Sequence, residues 1–393
     1  MERIGIFGGT FNPPHIGHIR GVVRGAGKLG LDRVILIPAR QVPGKVPVSD
    51  SPTPEQRLEM VRLAAAPYPG LEVSDLELGR EGDSYTWQTL RTLRERFPEG
   101  ELTLFVGTDM LLSLPAWRRA ADIVKMAAIA VLPRGGKEEE SRLTAGADGI
   151  RKLGGRVTVV ENDPCEISST QLRRLLAFGC GSEFLEPGVE GYIVKNGLYH
   201  SADNWKKLPM DRLEQVVVEL LNPNRVKHVL GCRDTAVALA KRWGADMEDA
   251  ARAGILHDVT KALDGPLQLT LCRAYGTLLD DFSKKYPKTL HALTGSLVAE
   301  RIFGENKAVV SAIAHHTTGK ANMNLLETII YVADYMEPNR DFPGVEALRA
   351  LAFSDLRAAL KLGLEMTLVH LKNQGSEVSP ESRQALDWLN AGD

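Results

Sequence analysis

The feature that most constrains the fold is a change in hydrophobic patterning near residue 200. Before it, short runs of consecutive apolar, often β-branched residues alternate with segments of helical pattern; the runs lie at 4–7, 34–37, 102–106, 128–132 and 157–160. Runs that are apolar on consecutive residues suit strands buried on both faces. We therefore predict a Rossmann-like α/β domain, a mostly parallel sheet covered by helices, which binds ligands at the carboxyl ends of its strands.

Beyond about residue 205 the β-branched runs become rare, and apolar residues recur at helical spacing, as in 234–243, 292–303 and 325–336. This pattern predicts an all-α second domain. A chain of 393 residues is also longer than one ordinary hydrophobic core requires. We therefore expect two domains, residues 1–203 and 204–393, connected through the glycine- and proline-containing segment 196–209.

Charge and cysteine content exclude several classes of protein. The chain carries 48 basic and 50 acidic side chains, so it has no overall positive field with which to hold a nucleic-acid backbone. Its four cysteines form no C-x-x-C pair, which argues against a zinc ribbon or a disulfide framework, and no apolar stretch reaches the length of a membrane span. We expect a cytoplasmic protein without nucleic-acid or membrane partners; the sequence leaves the oligomeric state open.

The first candidate site directly follows the first predicted strand. A glycine pair and a short loop lead into a segment of helical pattern, and the residues expected to line this turn are Gly8, Gly9, Thr10, Phe11 and Asn12. A strand, a glycine turn and a helix N-terminus together form an anion site, because backbone N–H groups approach a phosphate closely and the helix dipole attracts it.

Two histidines follow in the same segment. His15 and His18 lie three residues apart, so one helical turn places both imidazoles on one face. Donation by both rings to the oxygens of an α-phosphate would stabilise the charge that develops during in-line nucleotidyl transfer. The alternative is a pair of surface histidines without a catalytic role, and the neighbouring glycines favour the first interpretation.

The H-x-G-H stretch of residues 15–18 and the I-S-S-T-x-x-R stretch of residues 167–173 resemble two signature motifs of the nucleotidylyltransferase superfamily. The resemblance implies that Ser168, Ser169 and Thr170 cap the following helix and offer hydroxyls to phosphate. It also implies that Arg173 takes part in catalysis by binding the β- and γ-phosphates of ATP, which enters with Mg²⁺.

Further matches at 84–86, 107–111, 117–118 and 192–193 resemble the nicotinate mononucleotide adenylyltransferases within that superfamily. This resemblance covers about residues 1–200 and implies ATP and nicotinate mononucleotide as substrates. It also implies that Trp117 stacks on the pyridine ring, that Thr86 helps to hold the ring's carboxylate, and that Asp109 contacts the mononucleotide.

One loop departs from that family. Where its members usually carry P-P-H-K after the second strand, this chain has Val42, Pro43, Gly44 and Lys45. Lys45 remains a candidate phosphate ligand, but the missing histidine leaves the preference for nicotinate over nicotinamide open. Arg134, at the end of a predicted strand, is either a substrate ligand or a structural residue, with neither role favoured.

The second candidate site begins with His257 and Asp258, which we place inside an apolar helical stretch where both are costly to bury without partners. A single buried histidine is more often a hydrogen-bonded core residue than a ligand, so the number of candidates carries the argument. Together the candidate metal ligands are His228, His257, Asp258, His291, His316 and Asp334. Nitrogen and carboxylate ligands without cysteine suit iron, manganese, zinc or magnesium, and two metals can share one aspartate.

The order H, H-D, H, H, D resembles the HD-domain phosphohydrolases, and the stretches 257–261, 316–319 and 331–338 resemble the symmetrical diadenosine tetraphosphate hydrolases among them. The resemblance implies a di-iron centre, and it selects His316 over the adjacent His315 as a ligand. Lys261 either contacts a substrate phosphate, as part of the catalytic machinery, or pairs with Asp258, with equal support for both roles.

The leading hypothesis is a bifunctional enzyme. Its first half forms nicotinate adenine dinucleotide and pyrophosphate from ATP and nicotinate mononucleotide, and its second half hydrolyses diadenosine tetraphosphate to two ADP. Two alternatives stay open for the second half: a regulatory module that binds a nucleotide without turnover, or hydrolysis of another nucleotide.

Overall fold

The computed structural model describes residues 1–42, 51–80, 82–133, 139–161 and 167–391. The chain divides into two compact units, Met1–Ala202 and Asp203–Asp393. Among the described helices, none combines the length and the hydropathy that are needed to span a bilayer.

The first unit alternates strands and helices. Its elements are β1 (Arg3–Gly9), α1 (Ile16–Leu29), β2 (Arg33–Pro38), α2 (Pro54–Ala65), β3 (Leu71–Val73), α3 (Thr86–Arg96), β4 (Glu101–Gly107), α4 (Thr108–Ser113), α5 (Ala120–Met126), β5 (Ala128–Leu132), α6 (Glu139–Lys152), β6 (Val157–Val159), α7 (Ser169–Ala177) and α8 (Pro187–Lys195).

In the described part of this unit, six strands pair in parallel in the order β3-β2-β1-β4-β5-β6. This order is that of a doubly wound sheet and confirms the predicted α/β fold. The direction in which successive strands are added to the sheet reverses between β1 and β4, so the crevice beyond their carboxyl ends is the place where such a sheet binds ligands. The sequence pattern missed β3, which has three residues, none of them fully buried.

The core of the first unit explains two of its glycines. Phe105 of β4 is fully buried. A Cβ on Gly5 of β1 would lie 2.9 Å from its ring, and a Cβ on Gly25 of α1 would lie 2.7 Å from it. Larger residues at either position would displace Phe105 or separate α1 from the sheet, because core packing leaves no room for added methyl groups.

The described part of the second unit is helical, as the sequence predicted. Its helices are α9 (Met210–Leu220), α10 (Val226–Trp243), α11 (Met247–Leu256), α12 (Gly265–Ala274), α13 (Asp281–Lys285), α14 (His291–Arg301), α15 (Lys307–Ala314), α16 (Leu325–Met336), α17 (Val345–Ala352), α18 (Leu356–Asn373) and α19 (Pro380–Ala391).

Helix α16 runs through the core of this unit, since its residues 326–333 are all buried. Helix α11 lies close to α10 at Gly254, where a Cβ would come within 2.7 Å of the Cα of Arg233. Our placement of His257 and Asp258 inside a helix is wrong, because α11 ends at Leu256 and both residues lie in the turns that follow. Release from the helix lets two adjacent side chains face the same centre.

The segment 196–209, which we expected to connect the domains, carries two buried aromatic side chains. Tyr199 is buried in the first unit and Trp205 is buried in the second. Trp205 stacks on Phe303 with ring centroids 5.6 Å apart.

Candidate functional sites

The loop between β1 and α1 lies at the carboxyl end of β1, beside the point where the strand order reverses. Side chains from distant parts of the first unit hold its backbone carbonyls. Arg57 donates to the carbonyl of Thr10 at 2.7 Å and Arg173 to that of Asn12 at 2.7 Å. The hydroxyl of Ser169 donates to the carbonyl of Pro13 at 3.0 Å.

The N–H groups of the same loop are in the opposite situation. Within the described ranges of the chain, the backbone N–H groups of residues 10–12 donate to no protein atom. Backbone N–H groups normally find acceptors. Consecutive N–H groups without a protein acceptor, beside carbonyls that already accept from side chains, therefore offer donors to which an anion can bind. The predicted lining residues Gly8, Gly9, Thr10, Phe11 and Asn12 form this turn, and Gly9 leaves room for the ring of Phe11, 3.3 Å from where a Cβ would lie.

The two motif histidines lie together at the start of α1. His15 is the N-cap residue with extended backbone angles, and its N–H donates to Nδ1 of His18 at 3.3 Å. The two ring centroids are 3.7 Å apart. His18 also contacts Phe11, with ring centroids 5.4 Å apart. The helix N-terminus and both imidazoles therefore face one small region, where donors and the helix dipole favour negative charge.

Helix α7 brings a second N-terminus to this loop. Ser168 caps it by accepting from the N–H of Gln171 at 3.2 Å. Thr170 accepts from Arg173 at 3.2 Å. In the described residues Arg173 donates to a carbonyl and a hydroxyl and forms no ion pair with a carboxylate, and burial lowers its pKa. A half-buried guanidinium that lacks a carboxylate partner is suited to bind a phosphate.

The residues predicted to bind the pyridine nucleotide lie at the carboxyl end of β4 and at the start of α3. Asp109 is in the first turn of α4 and accepts from Arg142 at 2.5 Å, while Trp117 donates from Nε1 to Ser113 at 3.1 Å. Thr86 opens α3, and the preceding Tyr85 lies under the guanidinium of Arg118, 5.1 Å from ring to cation. The candidate ligands Lys45 and Arg134 lie outside the described residues.

Sequence reasoning missed Arg57 and Tyr199 in the first site. Arg57 is buried, and besides the carbonyl of Thr10 it reaches that of Arg40 at 2.9 Å. The hydroxyl of Tyr199 donates to Oδ1 of Asn12 at 2.7 Å. Both lie far from the loop in sequence and outside any motif, so no spacing signal marks them.

In the second unit, four histidines converge with their Nε2 atoms inward because an acceptor holds each Nδ1. Nδ1 of His257 donates to the carbonyl of Gly254 at 2.7 Å and that of His316 to Ile313 at 2.7 Å. Nδ1 of His291 donates to the carbonyl of Lys288 at 2.9 Å, and that of His228 to Oε1 of Glu337 at 3.0 Å. This second layer of partners fixes the tautomer in which each Nε2 carries the lone pair that a metal binds.

Asp258 lies between two pairs of these histidines. Its Oδ2 is 3.7 Å from Nε2 of His228 and 3.6 Å from that of His257, while its Oδ1 is 3.6 Å from His291 and 3.8 Å from His316. Asp334 joins the first pair, with Oδ1 3.1 Å from His228 and 3.7 Å from His257. The structure thus brings the six predicted ligands together. Within this cluster two overlapping groups, one of His228, His257 and Asp334 and one of His257, Asp258 and His316, have ligand atoms close enough to hold a metal ion.

Electrostatics keep these ligands in the protonation states that metals require. Burial lowers the pKa of His316, and it lowers the pKa of His257 and His291 well below the ordinary range, so these three rings are neutral near pH 7. Burial alone would raise the pKa of Asp334. The hydrogen bond with His228 and the charges of nearby groups outweigh it and hold that pKa well below its usual range.

The sequence left two questions open in this site: whether His315 or His316 is a ligand, and what Lys261 contacts. His316 points into the cluster, whereas Nδ1 of the adjacent His315 donates to the carbonyl of Ser311 at 2.8 Å. Nζ of Lys261 lies 2.7 Å from Nε2 of His291 and 3.9 Å from Oδ1 of Asp258, and burial lowers its pKa to about 8. Lys261 therefore borders the cluster, where it can contact either a carboxylate or a substrate phosphate.

Sequence reasoning assigned no role in this site to three further residues, although one of them, Glu337, lies in the matched stretch 331–338. Arg225 contacts Asp258, and Arg340 donates to Oδ1 of Asp334 at 2.7 Å. Glu337 is buried, and Gly231 leaves the space that its carboxylate occupies. All three orient the ligands or balance their charge.

Comparisons with known proteins give separate matches for two parts of the chain. Residues 6–175 match the family model described as Cytidylyltransferase-like, and residues 225–339 match the HD domain model. A probable nicotinate-nucleotide adenylyltransferase of Gloeobacter violaceus is 40% identical over 200 residues, which are 50% of this chain and 96% of that protein.

Two further similar proteins are described as a phosphatase and as a hydrolase. A symmetrical bis(5'-nucleosyl)-tetraphosphatase of Bacillus subtilis is 37% identical over 179 residues, 45% of this chain and 95% of that protein. A solved structure, described as a predicted HD superfamily hydrolase involved in NAD metabolism from Clostridium acetobutylicum, is 36% identical. It covers 47% of this chain and 99% of its own, with a TM-score of 0.46.

Proposed function

Since the chain belongs to the nicotinate-nucleotide adenylyltransferase family through its first unit and carries an HD domain in its second, we propose that it is a bifunctional enzyme of adenine nucleotides. The first unit transfers the adenylyl group of ATP to nicotinate mononucleotide and releases pyrophosphate. The observation that carries this assignment is the loop of residues 10–13: side chains bind the carbonyls of residues 10, 12 and 13, while the N–H groups of residues 10–12 have no protein acceptor among the described residues.

In this mechanism the chain positions two phosphorylated substrates and stabilises charge. His15 and His18 donate to the α-phosphate, where negative charge grows as the phosphate of the mononucleotide attacks in line. Arg173 and the N-terminus of α7 hold the β- and γ-phosphates, which leave as pyrophosphate. Mg²⁺ that enters with ATP shields the phosphate charges from one another.

The proposed binding site for the pyridine mononucleotide lies near the carboxyl end of β4. Trp117 supplies a flat, half-buried indole on which an electron-poor pyridine ring can stack. The hydroxyl of Thr86 and the first N–H groups of α3 would donate to the carboxylate of nicotinate. Asp109 would contact the ribose or the phosphate of the mononucleotide. Lys45 lies outside the described residues. A comparison of the two mononucleotides as acceptors therefore decides between nicotinate and nicotinamide.

Pyrophosphate release from ATP tests this half. Wild-type protein with Mg²⁺ and ATP is expected to release pyrophosphate only when nicotinate or nicotinamide mononucleotide is added, and the comparison of the two acceptors gives the base preference. His18→Ala is expected to lower the rate by about 10²–10³-fold, as for loss of one charge-stabilising donor. The matched control is His370→Ala, an exposed histidine of α18, which should leave the rate unchanged. No release with either acceptor would refute the proposal.

We propose that the HD half is a metal-dependent phosphohydrolase that splits diadenosine tetraphosphate into two ADP, with iron as its metal. The inward Nε2 atoms of four histidines and the position of Asp258 between them support catalysis over passive nucleotide binding, because residues that hold two metal ions would supply an activated water for attack on phosphorus. The likeness to the tetraphosphatase of Bacillus subtilis supports the substrate.

The residues of this half bind, orient and neutralise. His228, His257 and Asp334 would hold one metal, His291 and His316 the other, and Asp258 would bridge them. The metals, when bound, activate water and neutralise phosphate charge. Lys261 is placed to donate to a phosphate oxygen of the substrate at the edge of the centre.

Product analysis tests this half. Full-length protein supplied with Fe²⁺ or Mn²⁺ is expected to convert diadenosine tetraphosphate to ADP as the sole nucleotide product. Asp258→Asn should abolish turnover, while Asp341→Asn, which changes an exposed aspartate of the same unit, should not. Turnover of other nucleotides alone would transfer the assignment to another substrate, and stoichiometric metal with no turnover of any nucleotide would favour a sensing role.

A further inference from the structure

The proposed chemistry of the first unit does not use one of its buried polar groups, the hydroxyl of Tyr199. Tyr199 is 5% exposed, and burial raises its pKa well above the ordinary range, so the hydroxyl stays protonated and acts as a donor. Its acceptor is Oδ1 of Asn12 at 2.7 Å. The partner is thus a loop residue 187 positions away in the chain, in the middle of the phosphate-facing turn.

Backbone strain occurs at both ends of this hydrogen bond. Tyr199 and the following His200 have left-handed φ values of 56° and 63°, and Phe11, next to Asn12, has a φ of 48°. Residues other than glycine rarely adopt this region, and they persist there only when their surroundings fix them. The fold accepts an unfavourable backbone on each side to bring this hydroxyl to this amide.

Two arginines hold the same loop as Tyr199. Arg57 and Arg173 each donate to a backbone carbonyl of the loop whose Asn12 side chain accepts from Tyr199. Asn12 is therefore held twice: Tyr199 bonds its amide oxygen and Arg173 its backbone carbonyl. With both oxygens of Asn12 engaged, the peptide planes of the loop have one orientation.

We propose that Tyr199 is a positioning residue for the triphosphate of ATP, an inference that rests on the adenylyl transfer proposed above. Acting through Asn12, it keeps the carbonyls of residues 10, 12 and 13 directed at their side-chain donors and the N–H groups of residues 10–12 directed at phosphate. Tyr199 does not touch substrate, and it contributes orientation without adding charge.

The test is Tyr199→Phe, which removes one hydroxyl and keeps the buried ring. KM for ATP is expected to rise about five- to tenfold, the range for one lost hydrogen bond, with KM for the pyridine mononucleotide unchanged. The matched control is Tyr68→Phe, because the hydroxyl of Tyr68 also makes a half-buried hydrogen bond in this unit, to Glu186 at 2.8 Å. This control should change neither KM.

A binding measurement separates positioning from chemistry. Calorimetric titration of the full chain with inorganic triphosphate and Mg²⁺ should show about five- to tenfold weaker binding for Tyr199→Phe than for wild type. Because Tyr199 acts through Asn12, the double variant Tyr199→Phe with Asn12→Ala should bind no more weakly than Asn12→Ala alone.

The proposal is overturned if Tyr199→Phe binds triphosphate as wild type does, if both KM values rise together, or if the effects of the two substitutions add. Thermal unfolding of Tyr199→Phe and Tyr68→Phe is compared in parallel, and a fall in Tm without a change in triphosphate affinity also overturns it. Failure of wild type to use any pyridine mononucleotide would instead refute the proposed function, and the triphosphate titration would still decide the role of Tyr199.

Discussion

Replacing Glu337 by glutamine probes how strongly the second layer of the metal centre controls the first. Oε1 of Glu337 accepts from Nδ1 of His228 at 3.0 Å, and Oε2 accepts from the backbone and side-chain nitrogens of Asn339 at 2.7 and 2.8 Å. Glutamine removes one of the two carboxylate acceptors, because one end of its amide is a donor that faces either Nδ1 of His228 or Asn339. Loss of such a partner lowers metal affinity about 10–100-fold, or about 1.4–2.7 kcal/mol.

The assay is calorimetric titration of chelator-treated, full-length protein with Mn²⁺, compared with metal content after loading with Fe²⁺. The matched control is Glu305→Gln, since Glu305 is an equally enclosed carboxylate of the second unit that pairs with Arg252 at 2.6 Å and contacts none of the six ligands. We expect weakened binding in Glu337→Gln alone. Equal metal affinity in wild type and Glu337→Gln, or an equal loss in both variants, would refute the reasoning.

Three further predictions follow from single contacts. His316→Ala should lose at least one metal per chain by elemental analysis, whereas His315→Ala should keep both, because only His316 faces the cluster. Arg173→Lys should lower pyrophosphate release about tenfold or more with charge retained, because lysine cannot donate to a carbonyl and a second acceptor in fixed geometry. Burial raises the pKa of Glu77, so its charged form destabilises the fold above its unfolded pKa; Glu77→Gln should raise Tm at pH 7 to 8, with the gain vanishing below about pH 4.5. A Tm difference that is constant with pH would contradict this last expectation.

Patterning predicts most of the fold because buried strands and helices repeat their apolar residues at fixed periods. The five predicted strands and the helical second half follow from this alone. Strand β3 escapes because three partly exposed residues carry no period, and the end of α11 escapes because the apolar run continues through Leu256 toward Val259 without a glycine or proline stop.

Motifs predict candidate residues for binding substrate or metal. They do not predict the residues that orient those candidates through hydrogen bonds. Arg57 and Tyr199 act across long stretches of chain on backbone atoms, and a backbone carbonyl leaves no mark in the sequence. Tyr199 also lies in a segment whose glycine, asparagine and proline read as a connector. Glu337 follows a predicted metal ligand closely, yet nothing in its spacing distinguishes a partner of His228 from a helix-end carboxylate.

In both candidate sites, hydrogen bonds to backbone carbonyls leave a surface of one polarity, and that polarity determines the charge of the ligand that fits. In the first, side-chain donors hold the carbonyls of residues 10, 12 and 13, and the free face of the loop is a row of N–H groups that suits an anion. In the second, carbonyls of residues 254, 288 and 313 take the Nδ1 protons of three histidines, and the free face is a row of nitrogen lone pairs that suits cations. Substitution of an uncharged holding residue, such as Ser169 in the first site, should therefore weaken ligand affinity while the net charge of the site stays the same, because the holder contributes orientation. Such variants separate orientation from charge, a distinction that alanine substitution of the ligands themselves cannot make.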